Sequence, residues 1–250
     1  MGQRTRKLAA AALAAAMLGS AASAWAGVVI SGTRVIYPAQ AKQVTVKVTN
    51  DGKVPALLQS WVDDGNARAD ANTASMPFTL LPPIARIDPG KGQSLRLVYT
   101  QEPLPQDRES VYWLNVLEVP PKLQSDAPAN VLQMAFRSRL KIFFRPSGLP
   151  GDANSAPARL TWAIQPAAGS AGGYVAKASN PTPYHVSIAS AAVETGGKRY
   201  QAKAEMVPPL GSIELPVEGL SRPAGDAQVV FTTVNDYGAV IDNKAGAVAR

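Results

Sequence analysis

The chain carries one histidine, His185, and no cysteine. His185 sits among strand-forming residues, so a structural or surface role is the first reading, ahead of general acid–base work. Asp63 and Asp64 are adjacent, and in an extended segment their carboxylates point to opposite faces. They read as a strand end, not as a paired acid and base. No phosphate-cradling glycine loop, nucleophile elbow or metal-ligand spacing occurs. The lack of cysteine also removes thiolate metal sites and disulfide exchange. An enzyme is therefore a poor reading, with no cofactor and no metal implied. Two cations draw attention instead. Arg34 lies between Thr33 and Val35 in an apolar run, and Lys141 lies between Leu140 and Ile142. A single charge in an apolar strand ordinarily faces water. Two of them, on strands at opposite ends of one sandwich, could converge on an anion. Charge-assisted hydrogen bonds to a carboxylate contribute roughly 1.5–3 kcal/mol each when partly buried.

The elements that must position these cations are extended. Lys141 lies in NVLQMAFRSRLKIFFRP, Asn130–Pro146. There Leu132, Met134 and Phe136 alternate with polar or small residues, then Leu140, Ile142 and Phe144 do the same, a period of two. Pro146 ends the run because it cannot donate to a ladder. A typical strand has about five or six residues, so this one is expected to be nearly three times as long. Such a strand either joins a large sheet or runs past its own and leaves an apolar edge, normally an aggregation hazard. A protein that keeps that edge is expected to bind another chain with it. Lys141 has opposite parity to Leu132, Met134 and Phe136, so a regular strand sets them on opposite faces. Contact of both with one partner then needs a twist, a bulge or approach from the strand's edge. Arg34 lies in Val28–Tyr37, read as one strand with Gly32 as a bend.

Residues 1–26 read as a cleaved signal peptide. Arg4, Arg6 and Lys7 precede an Ala/Leu-rich core, and Ala24-Trp25-Ala26 supplies the small residues of a cleavage site. The core is too short to span a bilayer. Three of the seven net positive charges belong to this leader, and no basic cluster with interleaved aromatics follows it. That argues against nucleic acid as a partner. The exported chain leaves an oxidising compartment unused and must be held by its core alone. There are 21 prolines in 250 residues, above the ~5% usual in globular chains. No amphipathic helix is evident after the leader. Short runs rich in Val, Ile, Leu and Tyr, separated by Pro, Gly, Asn and Asp, read as all-β sandwiches. Asn50-Asp51-Gly52 is read as a turn into a return strand, Ala56–Val62. Ser147–Pro157 has linker composition. The domains are therefore expected at 27–146 and 158–250, joined by 147–157. Patterning in the second is weaker, and the tail after Asn235 is not placed.

GTRVIYPA, VTVKVTNDG, FTLLPPIARIDPGKGQSLRLVYT, DRESVYWLNVLEVPP and NVLQMAFRSRLKIFFRP stand in an order that resembles the periplasmic pilus-assembly chaperones, the PapD-like partners of the chaperone–usher pathway. SNPTPYHVSIA and VNDYGA are similar too, and the match runs through nearly all of Val28–Asp242. The resemblance implies two immunoglobulin-like β-sandwich domains set at an angle, in the periplasm. It implies that Arg34 and Lys141 anchor the C-terminal carboxylate of a pilus or fimbrial subunit. Leu132, Met134 and Phe136 would fill the groove of a subunit whose own sandwich lacks a strand. Glu109, Arg145 and Asp236 would form an ionic cluster fixing the two domains. Delivery to an outer-membrane usher follows, as does self-capping into a dimer or oligomer when no subunit is bound. The short loop Lys122–Ala129 is similar to the branch serving rod-like pili.

The competing reading is a secreted two-domain adhesin or glycan-binding sandwich. It calls for aromatic platforms on exposed loops, whereas Trp61, Trp113 and Trp162 fall within expected strands. Co-purification separates the readings: a subunit for a chaperone, a sugar for a lectin.

Overall fold

The computed structural model describes residues 27–70, 76–119, 134–167 and 173–249. The leader, Leu132 and the loop Lys122–Ala129 lie outside them. Nine strands build the first domain: β1 Val28–Ile30, β2 Arg34–Pro38, β3 Val44–Asn50, β4 Ala56–Asp63, β5 Phe78–Leu81, β6 Ile84–Ile87, β7 Gly92–Tyr99, β8 Ser110–Val119 and β9 Phe136–Arg145. They form two facing sheets, ordered β1-β3-β7-β5 and β2-β9-β8-β4-β6.

The stretch read as one strand is two. β1 pairs antiparallel with β3 in the first sheet, while β2 runs parallel to β9 in the second. Gly32 between them has φ +89°, a conformation that costs glycine little and other residues more. It is a sheet switch rather than a bend. Asn50-Asp51-Gly52 likewise makes no hairpin, because β3 and β4 belong to opposite sheets. Asn50 is what fixes this crossing. Its amide donates to the carbonyls of Val54 (2.8 Å) and Ile87 (2.9 Å), and its oxygen accepts from the Gly52 N–H (2.9 Å).

The core follows the period of two. Val46 and Val48, Leu95 and Leu97, Leu114 and Val116, and Leu140, Ile142 and Phe144 all turn inward and are buried. Each such side chain contributes on the order of 1.5–3 kcal/mol when removed from water. Tyr37, Phe78, Tyr99 and Phe144 form an aromatic cluster with centroids 4.6–6.5 Å apart. Buried Tyr37 keeps its hydroxyl satisfied, donating to Ala41 O and accepting from the Tyr99 N–H.

The second domain comprises β10 Thr161–Pro166, β11 Tyr174–Asn180, β12 Val186–Thr195, β13 Lys198–Ala202, β14 Met206–Val207, β15 Gly211–Val217, β16 Gln228–Val234 and β17 Val240–Ala249. Their order is β13-β15-β11-β10-β17-β16-β12-β14, and β13 also pairs with β12, so the ladder curls back on itself. The unplaced tail becomes β17, antiparallel to β16 and parallel to β10. The stretch 147–157 is not wholly a linker. Asp152 caps a 3-10 helix, Ala153–Arg159, by accepting from the Asn154 N–H at 2.9 Å. Ala156 of that helix is buried in the second-domain core.

Candidate functional site

β9 organises the site. Its register against β8 runs without a shift from Ser110↔Phe144 to Glu118↔Phe136, so alternation is strict. Phe136, Ser138, Leu140, Ile142 and Phe144 share one face. Arg137, Arg139, Lys141, Phe143 and Arg145 share the other. The ladder begins at Phe136. Met134 and Ala135 stand in no ladder, so the described strand has ten residues and not the longer run expected from Asn130. Along the core face burial is lost toward the N-terminal end: Phe144 is fully buried, whereas Phe136 and Met134 are 59% and 55% exposed.

β2 covers β9 only from Lys141 to Arg145. From Phe136 to Leu140 the strand has β8 on one side and, among the described residues, an open edge on the other. At the boundary between the covered and open parts, Arg34 and Lys141 are direct partners across the parallel pair. Arg34 donates from Nη1 to Val234 O of the second domain at 2.7 Å and sits 5.7 Å over the Phe143 ring. Its Nε is buried without a hydrogen-bond partner among the described residues. Among the described residues neither cation has a carboxylate within ion-pair distance. Burial lowers the Lys141 pKa, and Arg34 beside it lowers it further. Burial also lowers that of Arg34, against the opposing pull of Asp236 and Glu109. The pair is thus two half-desolvated positive charges with no carboxylate in direct contact among the described residues. An arriving carboxylate would relieve both the desolvation and the repulsion.

Glu109, Arg145 and Asp236 come together between the domains. Arg145 Nε donates to Glu109 Oε1 at 2.7 Å, and its two terminal nitrogens grip Asp236 at 2.7 and 3.0 Å. Burial works against the Arg145 charge, but the Asp236 hydrogen bonds and the field of Glu109 outweigh it and raise its pKa. The other oxygen of Glu109 accepts from the His185 N–H at 2.8 Å and lies 3.3 Å from His185 Nδ1. His185 is thereby a packed interdomain residue, against the Phe143 ring as well. The turn after β16 closes on the first domain at Gly238, where φ is +84° and an added Cβ would lie 2.7 Å from Thr33 Oγ1.

A second ionic cluster was missed from sequence. Asp63, read as a strand end, is buried and pairs with Arg139, while Asn115 donates to it at 2.7 Å and the Gly65 N–H at 2.7 Å. Arg137 completes the group, 3.6 Å away. The available signal was Arg137, Arg139 and Lys141 recurring on one face, a row of cations that calls for an anion. These arginines also cover the aromatic platforms an adhesin would need. Arg137 lies over Trp61 at 4.7 Å and Arg139 over Trp113 at 4.9 Å, while Trp162 is in the second core. Among the described residues no three acidic or histidine side chains group to hold a metal, and no helix is long and apolar enough to cross a membrane.

A model of the PapD N-terminal domain, a pili and flagellar-assembly chaperone, matches residues 27–150, and one of the C-terminal domain of the pili assembly chaperone PapD matches 155–245. The chain belongs to the PapD family. It is 45% identical over 226 residues to the probable fimbrial chaperone YadV of Escherichia coli K12, spanning 89% of this chain and 91% of that protein. Identity to the chaperone protein FimB/FhaD of Bordetella pertussis is also 45%, over 250 residues and 98% of each. The crystal structure of YadV superposes with a TM-score of 0.75 at 43% identity, over 88% of this chain and all of that one. The SafB chaperone, solved with the Salmonella enterica SafA pilin, superposes at 0.71 with 28% identity, over 88% and 96%. The two β-sandwiches are those of this family.

Proposed function

We propose that this chain is a periplasmic chaperone that captures incomplete pilus subunits and hands them to an outer-membrane usher. The observation that carries the reading is the edge of β9 at Phe136–Leu140, open among the described residues and ending at an Arg34–Lys141 pair that has no ion-paired carboxylate among them. A subunit strand laid along that edge gains main-chain hydrogen bonds, the mode of edge augmentation known for chaperone–pilin pairs. Its C-terminal carboxylate meets the two cations. Leu132, Met134 and Phe136 enter the groove left by the missing strand. The uniform register supports approach from the edge, because an edge-on strand reaches side chains of both faces without a bulge. Filling three pockets contributes several kcal/mol at about 25 cal/mol per Å², offset by the entropy of association. Glu109, Arg145 and Asp236 hold the domains in the arrangement that frames the anchor. A free chaperone covers its apolar edge with a second copy.

The test is co-expression with a fimbrial subunit. Arg34→Ala and Lys141→Ala should fold normally, since neither is in the core, and should each lose most of the co-purifying subunit. Recovery at wild-type levels, or variants that unfold alone, would refute the anchor.

A further inference from the structure

β9 has two regimes. From Lys141 to Arg145 it is held by neighbours on both sides, whereas from Phe136 to Leu140 it pairs, among the described residues, with β8 alone. A strand held at one edge, next to residues in no ladder, belongs to the low-stability end of a fold and frays. This is also the segment that, on the proposed function, must stand ready as a template.

Its fastening lies on the face opposite the core-side residues. Arg137 and Arg139 alternate with Phe136, Ser138 and Leu140, and both reach across β8 to β4. Arg139 donates to both oxygens of Asp63. Arg137 donates from Nε (2.9 Å) and Nη2 (2.6 Å) to Asn115 Oδ1, and from Nη1 to Ala67 O at 2.8 Å. Asn115 in turn donates to Asp63. The Asp63 side chain is 1% exposed while the two arginines remain 25–30% exposed. A buried carboxylate is a poor device for stability alone, since apolar replacements often serve as well. What it supplies here is orientation. Planar guanidinium forks held at several points and stacked on indoles have little freedom. Fixing every second side chain fixes the pleat, and so the direction in which the intervening residues project.

We propose that Asp63, through Arg139, Arg137 and Asn115, is a positioning residue that holds the Phe136–Leu140 edge extended before a subunit arrives. Affinity then benefits because less ordering remains to be done on binding. The inference rests on the capture reading, but its first test does not involve a partner.

Hydrogen exchange of the free full chain should show amides 136–140 of Asp63→Asn opening about tenfold more readily, with β3 and β7 unchanged. Should Asp63→Asn fail to fold, Arg137→Gln removes a part-exposed member of the same group and should give the same local result. Unchanged exchange at 136–140, or an even increase through the first domain, overturns the proposal. The second measurement uses a synthetic peptide of alternating apolar residues, with either a free C-terminal carboxylate or an amide. Asp63→Asn should weaken both forms about equally, on the order of tenfold. A loss confined to the free carboxylate would make Asp63 an electrostatic part of the anchor instead, and overturns positioning. If the peptide protects no amide of 136–140 in the wild type, the capture reading falls and this one with it.

Discussion

Phe136 and Phe144 share a strand, a face and a chemistry, yet one is 59% exposed and the other fully buried. Phe144→Ser should lower stability in urea unfolding by at least the ~3–5 kcal/mol typical of emptying a core phenylalanine site. Phe136→Ser should leave unfolding nearly unchanged and weaken subunit binding. The reverse pattern would make this end of β9 structural and refute the donor role proposed for it. Residue by residue, the pair of cations was legible because a lone cation inside an apolar run is conspicuous, and Arg34 and Lys141 are adjacent. Asp63 was not. Its side-chain partners Asn115 and Arg139 lie more than fifty residues away in sequence, and a carboxylate at a strand end looks the same whether it meets water or two arginines.

At the scale of elements, β8 was readable to its ends because aromatic and β-branched residues fill Ser110–Val119 without a glycine or proline. β17 was not. Its core-contacting residues include only Ala245 and Ala247, too small to give a hydrophobic period. The apparent strand Val28–Tyr37 concealed a change of sheet because both halves are apolar and only Ser31, Gly32 and Thr33 separate them. The β4–β8–β9 face carries a pH signature. Burial opposes ionisation of Asp63, but hydrogen bonds from Arg139, Asn115 and the Gly65 amide prevail and hold its carboxyl below the ordinary 3.8. A depressed carboxyl stabilises fully above its unfolded value and loses that contribution as pH falls through the folded one. Thermal melts from pH 7 to pH 3 should therefore show wild type losing more stability than Asp63→Asn, with the difference opening below about pH 4. Parallel curves would mean that the cluster contributes no net stability.

For the whole molecule, Arg145 links both domains, pairing with Glu109 of the first and Asp236 of the second. Its removal leaves Glu109, whose side chain is 1% exposed, without its cation, and breaking such a buried pair costs roughly 3–5 kcal/mol. Arg145→Ala should therefore melt lower than Lys141→Ala, which gives up no ion pair among the described residues. It should also broaden the small-angle scattering envelope as the domains lose their fixed relation. Equal melting temperatures for the two variants, with identical scattering, would remove the cluster from any role in joining the domains.

The placement of β17 has a consequence in time. It lies inside the second-domain ladder, between β10 and β16, so both of those strands lack a neighbour until residues 240–249 are present. The first domain needs nothing beyond Arg145 to complete its sheets. A chain emerging from its N-terminus can thus display the Phe136–Leu140 edge of β9 while the second domain is still incomplete. Asp236 sits in the turn between β16 and β17 and comes late as well. The grip on Arg145 is then a closing step, formed after the edge of β9 already exists.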